Sequence, residues 1–271
     1  MKLKTLRTIL LVMSVFMWTC NVSAQQLKID DNAVDLTHDA TLNGSWLKAG
    51  KVSWSAATKT LTLDNAKIEN SSTPYYTILV SGVDITIKLS GKSEIGATSF
   101  DAIRILNSKT TITGGGTLKV NAGWNSVYLH HDATLTINDC TVDIDGNLQG
   151  WGHGDGTNKN NNLVVSKATL KATCIRRLSS VTLTACKFES PVGGQIVEDE
   201  FGKFVATSEG EQAKNVSIVP DVADAIAHSS VISDSDTKAI YSTNGFLKTS
   251  FGKGINIVRS RDGKTIKVLG K

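Results

Sequence analysis

The sequence predicts an all-β chain: a parallel β-helix of about six coils, followed by a small C-terminal β module. Three observations predict it. The first is composition. Thr (29), Ser (26), Asn (17) and Gly (23) make about a third of the 271 residues, beside only 3 Pro and 6% aromatics. Thr and the β-branched aliphatics favour strands, while Gly and Asn favour turns. With 40% hydrophobic residues the chain can bury a core, which argues against wholesale disorder. The second is a shared alternating register in LTLDNAKI (61–68), ITIKLSGK (85–92), TITGGGTLKV (111–120), LTINDCTVDI (135–144), LVVSKATLKA (163–172) and VTLTACKFES (181–190). Apolar residues alternating with polar ones have the two-residue period of a strand. The third is a ladder between these segments: Ile78, Ile103, Val127, Trp151 and Ile175, at intervals of 25, 24, 24 and 24 residues. One coil per 24–25 residues stacks equivalent positions about 4.8 Å apart. No i, i+3, i+4 spacing supports a helical bundle or a doubly wound nucleotide-binding fold.

Taken in chain order, residues 1–24 are expected to be a secretory signal. Lys2, Lys4 and Arg7 give a basic start, and 9–18 is apolar except for Ser14. Val22-Ser23-Ala24 supplies small residues where a signal peptidase reads. The apolar run is too short to span a bilayer. Cys20 offers a lipoprotein alternative, which the preceding Trp18-Thr19 fits poorly. Cleavage is expected between Ala24 and Gln25. The formal +4 then falls to 26 basic against 25 acidic residues, so charge gives no support for a nucleic-acid partner.

Residues 25–220 are expected to hold the β-helix and its caps. Residues 25–54 cover the N-terminal end, where uncovered strands would expose sheet edges, and 201–219 reads as a hairpin over the other end. The third pattern residue falls at Leu63, Ile87, Ile112, Ile137, Val165 and Leu183, and three residues on stand Ala66, Ser90, Gly115, Cys140, Ala168 and Cys186. All six are small, as a tight bend requires. Cys140 and Cys186 then lie two coils, about 9–10 Å, apart, beyond disulfide reach. Buried free thiols at Cys140, Cys174 and Cys186 are the favoured reading, with a Cys174–Cys186 bridge as the competitor.

The run GKVSWSAATKTLTLDNAKIE (50–69) resembles the opening of secreted bacterial β-helix proteins described as carbohydrate-binding-domain-containing. ITIKLSGKSEI, TTITGGGTLKV and ATLTINDCTVDI are similar to that family's successive coils, so the resemblance covers about residues 45–190. It implies a right-handed parallel β-helix that binds polysaccharide, with calcium in some members, and no shared catalytic constellation.

If Ile103, Ile105, Val127 and Leu129 point inward, Arg104 and Tyr128 point outward. At the same period lie Leu79, Gly152 and Arg176, and His130 shares the face of Tyr128. Arg104, Tyr128, His130 and Arg176 are therefore the candidate ligand-binding residues. Arg donates paired hydrogen bonds to carboxylates or vicinal hydroxyls, and Tyr stacks on sugar faces, which suits an acidic polysaccharide. The row Tyr75, Phe100, Trp124, continued by Leu148 and Ala172, is expected to lie in the core.

Residues 146–162 form a Gly- and Asn-rich insertion suited to a surface loop. Asp143, Asp145, His153 and Asp155 cluster in and just before it as metal candidates, since oxygen-rich loops can hold calcium. No other cofactor is expected. The glycines lack dinucleotide-site spacing, and no GxSxG, HExxH or CxxC occurs.

Residues 221–235 read as a linker and 236–271 as a β module, with β patterns at 239–241, 255–258 and 265–269 and turns at Asn244-Gly245 and Asp262-Gly263. Ile240-Tyr241, Asn244-Gly245, 254–258 and the basic finish 264–271 resemble a short C-terminal sorting domain of the type IX secretion system. That resemblance implies a Gram-negative cell and contact with its export machinery. The expectation is a monomeric, secreted or surface-attached protein that binds polysaccharide without cleaving it. The alternatives are a structural or adhesive surface protein, and a polysaccharide lyase. No transmembrane segment is expected in the mature chain.

Overall fold

A computed structural model describes residues 24–70, 75–98, 100–151, 160–221, 237–250, 253–260 and 265–270. Among them the chain forms strands and turns only, and no helix is long and apolar enough to cross a membrane. The expected signal except Ala24, and the expected linker except Asp221, lie outside the described residues. The chain divides after Pro220 into two compact units.

The first unit is a parallel β-helix with three faces. Its first face stacks the opening of Thr60–Glu69, then Ile85–Ser90, Lys109–Thr113, Thr134–Asn138, Asn162–Ser166 and Ser180–Thr184. The second stacks the end of Thr60–Glu69 with Lys92–Ala97, Thr117–Ala122 and the openings of Thr141–Gly150 and Thr169–Arg176. The third stacks Tyr76–Ser81, Asp101–Leu106, Val127–His130 and the ends of the same two long strands. Two faces thus carry five strands, and the chain completes fewer turns than the six expected.

Inward side chains make continuous rows. Leu61, Ile87, Ile112, Ile137, Val165 and Leu183 pair in register on the first face. Ile68, Ile95, Val120, Ile144 and Ala172 do so on the second, and Ile78, Ile103, Val127, Leu148 and Ile175 on the third. Nearly all are shielded from solvent, forming one core along the unit. Two expected positions are corrected. Leu61 rather than Leu63 stacks on Ile87, because both apolar residues of LTL face inward and only pairing distinguishes them. Leu148 rather than Trp151 continues the third-face ladder, because the extra residues lie after the strand.

The bend between first and second faces is tight. Thr117 N donates to Gly91 O, Thr141 N to Gly116 O and Thr169 N to Cys140 O. The stacked small residues are therefore Gly91, Gly116, Cys140 and Ala168, and not Ser90 and Gly115. A Cβ at Gly116 would lie 2.7 Å from Gly91 O and 2.8 Å from Leu89 Cβ, which explains the glycine there. Cys140, Cys174 and Cys186 are all free. Burial pushes the Cys140 thiol up to about 11 and also raises that of Cys174.

On the second face the outward row Lys67, Glu94, Lys119, Asp143, Lys171 alternates in sign from coil to coil. Both ends of the helix are covered by antiparallel strands. Gln26–Ile29 pairs with Tyr76–Ser81, and Leu47–Ser55 with Thr60–Glu69. At the other end Val216–Pro220 pairs with both Thr169–Arg176 and Cys186–Ser190. The hairpin here is Gln195–Asp199 with Gly202–Ala206, so Phe201 sits in its turn and does not begin a hairpin as expected.

The second unit is a four-stranded antiparallel sheet in the order Leu247–Lys248, Thr237–Ser242, Gly254–Ser260, Thr265–Gly270. Gly245 adopts φ +81°, as the expected Asn244-Gly245 turn requires. Asp262-Gly263 lies outside the described residues.

Candidate functional site

Strand alternation on the third face sends every second side chain outward. In register, the outward row is Leu79, Arg104, Tyr128, Gln149 and Arg176. Gln149 takes the place expected for Gly152, which lies outside the described residues. The next outward position brings His130 against the Trp151 ring, with centroids 4.4 Å apart and edge to face. The Trp151 amide donates to Leu129 O, which holds the indole at the strand end beside Tyr128, 6.3 Å away.

At the corner leading into this face stand Tyr75, Phe100 and Trp124, one per coil. The Tyr75 and Phe100 centroids are 4.7 Å apart; Phe100 and Trp124 are 6.4 Å apart with planes at 26°. Contrary to the core placement expected, Tyr75 is 61% and Trp124 65% exposed. The reason is local. These residues precede the strands, so the corner and not strand alternation sets their direction, while Leu148 and Ala172 belong to other rows and are buried.

The aromatic corner and the outward row enclose a groove of about 640 Å³ on the third face. Its walls include Phe100, Trp124, Tyr128, Trp151, Arg176 and Arg177. Sequence reasoning brought Arg104, Tyr128, His130 and Arg176 together, and the structure places all four along this groove. It missed the aromatic platform, Trp151, Gln149, Arg177 and Asp101. The Asp101–Arg104 contact gave no signal, since positions three apart on a strand ordinarily face opposite sides.

Arg104 is clamped. Its Nε and Nη2 donate to Asp101 Oδ2 at 2.8 and 2.6 Å, and Asn125 Nδ2 donates to Oδ1 at 3.1 Å. Its guanidinium carbon lies 5.9 and 5.5 Å from the Tyr76 and Tyr128 ring centroids, within cation–π range. Burial pushes the Tyr128 phenol up to about 12, with the Asp101 charge adding to the effect. It therefore remains a hydrogen-bond donor at neutral pH.

Desolvation raises the Asp101 carboxyl above its ordinary 3.8, against the opposing pull of Arg104 and Asn125. An acid whose folded pKa exceeds its unfolded one holds its proton more tightly when folded. Its stabilising contribution is present below 3.8 and is lost as pH rises through the raised value. Asp101→Asn carries no such dependence. Across that rise, wild type is expected to lose melting temperature relative to Asp101→Asn; a gap independent of pH would contradict the burial-driven shift.

Of the metal candidates, Asp143 lies in register between Lys119 and Lys171 on the second face. Asp143, Asp145 and Glu189 line one open depression. His153 and Asp155 lie outside the described residues. Among the described residues no group of three or more His, Cys, Asp or Glu is arranged to hold a metal ion.

Fold and site together define a capped parallel β-helix bearing an aromatic and cationic groove along one face. No family model, curated protein or solved structure matches the chain.

Proposed function

We propose that the chain binds polysaccharide along the third-face groove without cleaving it, as an exported or surface-attached protein. The exposed Tyr75–Phe100–Trp124 platform carries this reading. Large aromatic rings left in solvent on a rigid scaffold offer flat apolar faces, and pyranose rings present matching faces. Coils about 4.8 Å apart repeat on the scale at which a glycan repeats its rings, so an extended chain has a ring to meet at each coil. Tyr128, Gln149 and Asn125 supply polar side chains along the same groove. Among the described residues the groove's one carboxylate is Asp101, which is hydrogen-bonded on both oxygens, and this favours binding over acid–base chemistry. The basic, apolar leader and the sorting-like tail support export.

The test is retention on a panel of soluble and insoluble polysaccharides. Phe100→Ala/Trp124→Ala is expected to weaken binding at least tenfold while leaving the melting curve near wild type, since Trp124 is mostly exposed. Failure of the wild-type protein to bind any glycan would sink the reading. Arg104→Ala is unsuitable as a probe of contact, because it strands the buried Asp101 carboxylate and changes folding too.

A further inference from the structure

We propose that the groove recognises an anionic glycan through uronate carboxylates, read by Arg176 and Arg177 at its C-terminal end. This rests on the polysaccharide reading above. Among the described residues the groove is lined by three guanidinium groups and one carboxylate. Residues 25–220 as a whole carry 18 basic against 20 acidic residues, so the groove inverts the charge of the body around it.

The three arginines are not equivalent. Arg104 is neutralised by Asp101 at 2.6 Å. Arg176 donates from Nε to the neutral Gln149 Oε1 at 3.1 Å, and Arg177 lies 5.4 Å over the Phe201 ring. Among the described residues neither has a carboxylate within ion-pair distance. Both side chains line the groove, and among the described residues no carboxylate pairs with their charge. A planar guanidinium matches a carboxylate with two parallel hydrogen bonds.

Their position along the axis adds a distance rule. Trp124 belongs to the third coil and Arg176 to the fifth, so about 10 Å of axis separates stacking from charge recognition. A glycan lying along the groove would stack one sugar on Trp124 and place an acidic sugar about two residues further on.

The experiment measures affinity for polygalacturonate, alginate and hyaluronan, for methyl-esterified polygalacturonate, and for neutral xylan, mannan and cellulose. The expected result is binding to at least one uronate glycan, at least tenfold tighter than to esterified or neutral forms and weakening with added salt. Arg176→Gln/Arg177→Gln is expected to abolish that preference. Because Arg177 also packs on Phe201, Arg176→Gln alone is measured beside it, and the wild-type salt dependence is an independent readout. Equal affinity for charged and uncharged glycans, or a preference that survives both substitutions, overturns the anionic inference and leaves polysaccharide binding standing. Absence of binding to every glycan overturns both.

Discussion

Ile103→Asp is expected to lower unfolding free energy by about 4 kcal/mol, enough to remove a large part of an ordinary domain's stability. Ile103 is fully buried within the third-face row, with Ile78 on one side and Val127 on the other. No hydrogen-bond donor is stacked beside it in that row, so the new carboxyl must either lose its charge or force the coil open. The cavity left by the shorter side chain adds to the penalty. Ile103→Val, which removes one methylene without adding a polar atom, is expected to cost about 1 kcal/mol. Urea unfolding of the two variants checks both values. A midpoint unchanged in Ile103→Asp would place the residue outside the core and break the coil register.

Gly150→Ala is expected to destabilise by about 2 kcal/mol and to weaken glycan binding together with it. In most strands Gly→Ala helps, by restricting the unfolded chain, so the sign here is diagnostic. Gly150 stands where the preceding coils place Val80, Ile105 and Leu129. A Cβ added to it would sit 2.0 Å from Arg177 O and 3.2 Å from Asn161 Cβ. The obstacle is backbone, so no rotamer change relieves it. Arg177, at φ +57°, would have to move away, and its guanidinium would leave the groove wall with it. Thermal melting and glycan affinity should fall together; an unchanged melt would show that the fifth coil yields without cost.

The fold was legible because alternation and a near-constant period leave few other ways to bury rows such as Ile87, Ile112 and Ile137. Register was less so. Leu61 and Leu63 are equally apolar, and Leu148 and Trp151 both fit a hydrophobic ladder, so spacing alone could not choose between them. Arg104 and Tyr128 were found because strand alternation fixes their direction. Trp124 was misplaced because no such rule governs a corner. Gln149 was missed because the irregularity between Ile144 and Asn147 changes the spacing of that coil, and Arg177 because it lies just past the strand end at φ +57°, where alternation no longer applies.

The alternating row on the second face bears on how a chain of near-identical coils counts them. Since successive coils present similar hydrophobic rows, a folding chain that looped out one coil would still bury apolar residues. The charges register the mistake. Omission of the second coil would bring Lys67 beside Lys119, and omission of the third would bring Glu94 beside Asp143. Each such slip sets one like-charge pair side by side at the point of the error, which is destabilising, while the pairs after it keep opposite signs. The stripe acts as a parity check on the order of assembly, and only a slip of two coils would pass it.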